Sequence, residues 1–580
     1  LQQLFDCLQN IGNHQRRMGA SLSRVRTGSV ASDMLAITLK ERLLARSDTA
    51  VVTICGTESG RRDHDLTGGC LDAAARARAA SLLAAFDPAA GPLAVVMPCG
   101  TEFLETLFAC IYAGLTVAPM APPRGPAQTS RFNAMVEDCR PVAILCASAT
   151  RGAVETATAG QRARVPVMEA SELPARPPLL ASPAADASRP AVLQYTSGST
   201  RAPRGVMLSG DALLANAALV SRTWGQGPDG RMGSWLPHFH DMGLMSILYP
   251  MLNGGVTFLM DPLHMIQRPV RWLRMISERR ITDSGGPAFA FAHVLNEVTP
   301  EQSEGLDLSC WSDAFCGAEP VAAELMAAFR TRFAANGLAP HAVHASYGLA
   351  EYALMACGGQ GRPDERRPDA PPGCERVEPC RIAGEMSDLI RIVDPDTGAP
   401  LPDGAPGEIW LSGPSKADGY LGDAGATDRL FHARLPGDES GASWLRTGDL
   451  GVRREADLYV TGRLKDVLFA NGRKIPAPDV ESLAARQDPA LNEMAAAAFM
   501  ADDLVSGRAV LLIEMKRRAR LTDEAATRDR IRRAVMGAWS LDLVEVRFLA
   551  PGSLPRTSSG KVQRRLAARS HPVQSMAPAA

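Results

Sequence analysis

No C-x-x-C pair occurs among the twelve cysteines of this 580-residue chain, which removes the usual sequence grounds for a zinc site or a disulfide framework. Reduced thiols in a cytosolic protein are the simpler expectation. A charge of one sign is missing too. Lys plus Arg number 62 against 63 for Asp plus Glu, so no global field draws the chain to nucleic acid or to a membrane surface. The apolar stretch 103–120 is interrupted by Glu105 and ended by Pro119; it reads as a core helix and strand, not a membrane span. No signal peptide is visible. Neither the G-x-x-x-x-G-K-S/T phosphate loop nor a dinucleotide fingerprint is found.

What is present is a chain too long for one core, with an ordinary 46% hydrophobic content. From 31 to 150, helix-like stretches such as 71–86 alternate with short apolar runs at 93–97 and 142–146. That alternation predicts α/β layering with parallel strands. Residues 151–190, rich in Ala and Pro, read as a flexible connection. The arginine-rich residues 1–30 read as an extension. The Leu1 start and the linker-like 568–580 fit either a piece of a larger protein or a trimmed chain.

One stretch organises the rest: Gln194-Tyr-Thr-Ser-Gly-Ser-Thr-Arg-Ala-Pro-Arg-Gly-Val-Met207. A short strand is expected on each side of it, and Ser209 or Asp211 can cap the helix that follows. Between the strands, Gly198 and Gly205 let backbone N–H groups converge. Thr196, Ser197, Ser199 and Thr200 add hydroxyl donors, and Arg204 adds positive charge. This equipment suits a polyphosphate; a polar hairpin is the plainer alternative.

Further blocks follow in order. In Ser234-Trp-Leu-Pro-His-Phe-His-Asp-Met-Gly-Leu244, one-residue spacing puts His238 and His240 on the same side of an extended segment. Two such ligands without a third are weak grounds for a metal, and a histidine at the mouth of an apolar pocket is the other reading. Asp283-Ser-Gly-Gly-Pro287 and Phe315-Cys-Gly-Ala-Glu-Pro320 read as turns where backbone can approach a ligand. Tyr347 and Glu351 stand four apart, so that on a helix start they share a face, a ring for stacking and a carboxylate for a cation. Residues 358–380 read as an exposed insert, and 407–412 as a strand. Trp444-Leu-Arg-Thr-Gly-Asp-Leu450 places Asp449 in a tight turn, and Thr461-Gly-Arg-Leu-Lys-Asp466 links to a smaller α/β unit of about a hundred residues. Lys561 closes the series in Pro555-Arg-Thr-Ser-Ser-Gly-Lys561, which in isolation is a basic solvated tail.

The order of these blocks resembles the adenylate-forming enzymes: acyl-CoA synthetases, luciferases and adenylation domains. Leu193-Gln-Tyr-Thr-Ser-Gly-Ser-Thr200, Ser234-Trp-Leu-Pro237, His240-Asp-Met-Gly-Leu244, Ser284-Gly-Gly-Pro287 and Ala121-Pro-Pro-Arg124 are most similar to the fatty acyl-AMP ligases. The likeness runs from about residue 33 to about 567. It implies an α/β adenylate-forming fold, with a large N-terminal domain over 31–464 and a small, mobile α+β lid over 465–567 pivoting near Lys465. It implies ATP and Mg²⁺, a carboxylic (fatty) acid, and an acyl carrier protein with its phosphopantetheine thiol. Thr196, Ser197, Gly198, Ser199 and Thr200 would hold the β- and γ-phosphates, and Glu351 would bind Mg²⁺. Tyr347, with Gly348, would stack on adenine, whose other face meets Gly317, Ala318 and Glu319. Asp449 and Arg463 would hold the ribose, His240 would sit by the carboxylate, and Lys561 would reach both the carboxylate and the α-phosphate.

The resemblance has departures. Arg204 stands where many relatives have Lys. Arg473-Lys-Ile-Pro-Ala-Pro-Asp479 replaces an Arg-Asn-His-Tyr-Pro-like stretch, and the insertion between Glu351 and Cys380 is short. An acyl-CoA or aryl-CoA ligase and a non-catalytic nucleotide or lipid sensor remain open. An amino-acid-activating domain is disfavoured, because no Phe-Asp-x-Ser block follows the phosphate loop.

Overall fold

A computed structural model describes residues 33–56, 63–160, 165–183, 186, 188–196, 203–360, 369–470, 473–501, 508–556 and 561–571. Two mixed sheets carry the first four-fifths of the chain. The smaller has seven strands, and Leu93–Val96 pairs in parallel with Val117–Pro119 and with Ala143–Cys146. These runs are apolar throughout and every residue in them is buried, as expected for parallel strands covered on both faces. The hairpin Val192–Tyr195/Gly205–Leu208 joins this sheet through Val117.

The larger sheet has thirteen strands. Its centre is the parallel run Val256–Leu259, Arg231–Ser234, Asp283–Pro287, Asp313–Gly317 and Val343–Gly348. Antiparallel strands 390–393, 406–411, 445–454 and 457–463 extend it on one side. One apolar cluster runs through both sheets and the helices between them, including Thr101–Ala113 and Asp241–Leu252, whose side chains are buried almost all round. The stretch 103–120 is thus the expected core helix followed by a strand, Val117–Pro119. Among the described residues no helix is long and apolar enough to cross a membrane.

Past the 3₁₀ turn Leu464–Asp466 a second apolar cluster begins, built on Leu468, Val480, Leu511, Ile531 and Leu543. Strands Leu491–Met500, Arg508–Met515 and Asp542–Leu549 form its sheet, and Ala477–Ala485 and Glu524–Trp539 are its larger helices. Arg564 bonds Glu481 at 2.6 and 2.7 Å, tying the segment after Lys561 to this unit.

Two local readings are corrected. Residues 151–158 belong to the helix Ser148–Thr158, followed by the edge strand Val167–Glu169; the composition hid a helix that Thr150 anchors by donating to the Val96 carbonyl at 2.6 Å. Asp283–Pro287 is no turn but an inner, fully buried strand. Its glycines permit close packing: a Cβ on Gly285 would stand 2.0 Å from the Phe315 carbonyl oxygen, and one on Gly286 2.7 Å from the Trp235 ring.

Candidate active site

At the carboxyl ends of the central strands lies a cleft of ≈ 2290 Å³, where open parallel sheets place ligands. Thr196, His240, Ala318, Glu319, Tyr347, Gly348, Glu351, Asp449, Arg463, Lys465 and Lys561 all line it. Residues separated by hundreds of positions therefore meet because strand ends meet. Gly317 stands just behind the lining. A Cβ there would come within 2.5 Å of the Ser346 carbonyl oxygen, and Ala318 turns out of the strand at φ +70°. Ser197, Gly198, Ser199 and Thr200 lie outside the described residues. Their base is held by the pairing of Tyr195 with Gly205 and by Arg131, which donates to the Thr196 carbonyl at 2.9 Å.

The Asp449 carboxylate is held from two sides. Tyr347 donates its hydroxyl to Oδ2 at 2.9 Å, and Arg463 Nε lies 2.9 Å from Oδ1. Burial, then the charge of Asp449, pushes the Tyr347 phenol well above its ordinary range. Asp449 keeps Arg463 protonated. Asp449 lies inside the strand Leu445–Arg454, not in a turn, although Gly448 kinks that strand at φ +70°. Tyr347 and Glu351 do not share a helix face either. Tyr347 is near the end of the strand Val343–Gly348 and Glu351 sits in the 3₁₀ turn Ala350–Tyr352. They face one cleft because the chain turns sharply at Gly348, where a Cβ would lie 1.7 Å from the Leu354 carbonyl oxygen.

Lys561 brings the second unit to this wall. Burial, followed by the charge of Arg463, lowers its pKa, while Asp241, Glu319 and Asp449 raise it; an ammonium here faces three carboxylates. Glu319 and Glu351 are both raised, first by burial. Glu351 Oε1 accepts from the Tyr420 hydroxyl at 2.7 Å, and Arg204 lies 4.9 Å over the Tyr420 ring and 3.4 Å from Asp423. Burial and Arg463 also lower Lys465, in the turn between the two units.

The paired histidines separate in role. His240 is the N-cap residue of Asp241–Leu252 and reaches the cleft at that helix's positive end. His238 lies in a tight turn, not an extended segment, and is buried against Phe103 at 4.1 Å. Burial pushes its pKa down to about 4, so it is a neutral, buried histidine, although it too lines the cleft. Among the described residues no three His, Cys, Asp or Glu side chains cluster as a metal site. Sequence reasoning missed Tyr420, which is 69 residues from Glu351 with no motif around it. Asp241, the acid after His240 in the sequence, gains its place beside Lys561 only in the fold.

Residues 40–421 match the family of AMP-binding enzymes. The chain is 33% identical over 524 residues to the medium-chain-fatty-acid–[acyl-carrier-protein] ligase JamA of Moorena producens, covering 85% of this chain and 88% of that one. It is 33% identical over 512 residues to the long-chain-fatty-acid–AMP ligase FadD26 of Mycobacterium marinum, covering 81% and 85%. Among solved structures, one from work on the fatty acyl-adenylate ligases of E. coli and L. pneumophila superposes with a TM-score of 0.77 at 28% identity, covering 94% of this chain and 98% of that one. The chain belongs to the AMP-binding enzymes and, within them, to the fatty acyl-AMP ligases.

Proposed function

We propose that this protein activates a fatty acid with ATP and passes the acyl group to the phosphopantetheine thiol of an acyl carrier protein. The carboxylate oxygen attacks the α-phosphorus of ATP. The bond to the bridging oxygen breaks, and pyrophosphate leaves with the negative charge. In the second step the thiol gives up its proton as its sulfur attacks the acyl carbonyl carbon, the bond from that carbon to the phosphate oxygen breaks, and AMP leaves with the electron pair. The relatives named for fatty acids, and one named for an acyl carrier protein, support this choice of substrates.

The carrying observation is that Lys561 comes to the same wall of the cleft as Asp241, Glu319 and Asp449. Burial and Arg463 oppose the Lys561 ammonium there while the three acids favour it, so an incoming anionic phosphate and carboxylate would complete its pairing, and positioned charge is what phosphoryl and acyl transfer need. Lys561 bridges the acid's carboxylate and the α-phosphate, both through charge-assisted hydrogen bonds. His240 stands beside the carboxylate at the head of its helix. Asp449 and Arg463 hold the ribose hydroxyls, Tyr347 with Gly348 covers one face of adenine, and Gly317, Ala318 and Glu319 cover the other. The hydroxyl loop after Tyr195 takes the β- and γ-phosphates, assisted by Arg204.

Magnesium fits one residue, Glu351. Its half-buried carboxyl carries a raised pKa that a divalent cation would reverse, and a single carboxylate suits an ion that takes its other ligands from phosphates and water. Bound there, the ion would supply charge neutralisation on the phosphates. The unit after Leu464 acts as a lid that turns about Lys465 between the two steps.

The deciding experiment measures pyrophosphate release with a panel of carboxylic acids, then acyl loading with holo carrier protein or millimolar coenzyme A. Release with fatty acids and loading of the carrier is the expected result. No release with any acid would sink the enzyme reading, and rapid acyl-CoA formation without carrier loading would move the acceptor to coenzyme A.

A further inference from the structure

The cleft reaches well below the reaction centre, along the helix Asp241–Leu252, and its lower walls are apolar: Val220, Met232, Met245 and Leu259. A plain hydrocarbon chain asks for nothing else. Yet several buried hydrogen-bond donors lining the cleft have no acceptor among the described residues: Trp224 Nε1 and Gln226 Nε2, side by side around Gly225, and also Trp235 Nε1 and Tyr249 Oη. The first two side chains are more than nine-tenths buried, Gln226 at 2% exposure and Trp224 at 8%.

Their orientation is fixed by neighbours. Asn253 Nδ2 donates to the Ala217 carbonyl at 3.0 Å and to Gln226 Oε1 at 3.0 Å. The amide oxygen of Gln226 is therefore the atom facing Asn253, and its NH₂ is the end left over. The Trp224 ring is stacked on Phe315 with centroids 4.7 Å apart and planes 13° apart, which sets the direction of its N–H. Trp224 and Gln226 flank the left-handed Gly225 that ends the helix Gly210–Trp224. Asn253 follows Asp241 by three helical turns, roughly 18 Å of helix rise, so the Gln226 amide lies far from the end where Lys561 and Asp241 meet.

Buried N–H groups without acceptors are rare and unfavourable in folded proteins, and those lining a cavity find a partner in what fills it. We infer that the acid carries an oxygen acceptor, a hydroxyl or oxo group, on the far part of its chain, read by Gln226 Nε2 and Trp224 Nε1. The inference rests on the proposed acyl-adenylating function and names its substrate class. Donor hydrogens select an acceptor oxygen, and a chain of CH₂ groups at that depth leaves both unpaired. Sites built to bond a polar group discriminate against analogues lacking it far more strongly than apolar pockets discriminate by size.

The test uses the full-length protein and matched acids of equal length. One set is unsubstituted, from octanoic to hexadecanoic acid; the other carries a hydroxyl or oxo group at successive distal carbons. Pyrophosphate release gives kcat/KM for each. The expected result is a preference of about tenfold or more for an oxygenated acid at one chain position, the scale of one buried hydrogen bond. Trp224→Phe keeps the ring stack and removes the N–H; Gln226→Leu leaves Asn253 its bond to Ala217. Each should shrink the ratio of oxygenated to plain acid several-fold, with melting temperatures confirming that both variants fold. Plain acids used equally well at every length, or a ratio unmoved in both variants, would overturn the inference and assign these donors to water. Absence of release with every acid is a different failure, that of the adenylating function itself.

Discussion

The two ends of the same three strands, Asp283–Pro287, Asp313–Gly317 and Val343–Gly348, are built on opposite plans. At the carboxyl ends, polar groups from four parts of the chain face an open cleft, and Lys561 arrives from a separate unit to face their acids. At the amino ends, Asp283 stands opposite Asp313 in the strand register, with His344 near the start of the next strand, and all three are buried. There, Asp313 accepts from Gln360 at 2.9 Å and lies 3.4 Å from His344, while His344 Nδ1 accepts from the Gly359 amide at 3.1 Å. The sealed end holds a carboxyl pushed far into the neutral range, Asp283, raised to about 8 by burial and by Asp313. A perturbed carboxyl thus does not by itself mark a reaction centre. What separates the two ends is access and a cation, not the size of a pKa shift.

Removing that cation should break the open end without touching the sealed one. Lys561→Ala is expected to cut acyl-AMP formation at least about a hundredfold, the scale of one transition-state donor, with melting within about a degree of wild type. Unimpaired pyrophosphate release would remove Lys561 from the mechanism. Lys465→Pro, which fixes φ in the turn between the units, should let adenylate accumulate while carrier loading falls on the order of a hundredfold; loss of both steps together would argue against a pivot. Asp449→Ala removes the acceptor of Tyr347 and the partner of Arg463. It should raise the KM for ATP by about tenfold or more, as loss of a hydrogen bond to a charged group does, with acid preference unaltered. ATP titrations that superpose on wild type would leave Asp449 a purely structural role.

Much of the open end was legible in the sequence, because glycines and polar groups recur in short blocks, two of which end strands, Gly317-Ala-Glu319 and Tyr347-Gly348, while Gly448-Asp449 kinks one from within. Layering was legible from apolar runs such as 93–97, which become wholly buried strands. The local shapes were less so. Asp283-Ser-Gly-Gly-Pro287 has turn composition, but its glycines answer to the Phe315 carbonyl and the Trp235 ring, neighbours that only the folded sheet supplies. The same limit hid Tyr420 from Glu351 and Asn253 from Gln226. These pairs depend on strand order and helix packing, and no local periodicity encodes them. The loop Ser197–Thr200 lies outside the described residues, so its reading still rests on composition and resemblance.

The smallest expected effect probes the sealed end. In the folded protein Asp283 holds its proton up to about pH 8, because burial and the facing Asp313 both oppose a second negative charge. An unfolded chain releases that proton at roughly pH 4. Between those values the native state binds more protons than the unfolded one, so stability from this group is fully present at the acid end and is lost as pH rises through about 8. Asp283→Asn replaces the proton with a permanent neutral amide. Its oxygen can still accept from Thr282, the partner of Asp283 in wild type. The melting temperature of the variant should therefore gain on wild type from pH 6 to pH 9, by on the order of a degree or two in so long a chain, with pyrophosphate release unaffected at either pH. Calorimetric scans across that range decide the matter: parallel melting curves would mean that Asp283 is ionised in the native protein and that the carboxyl pair is held by groups other than a shared proton.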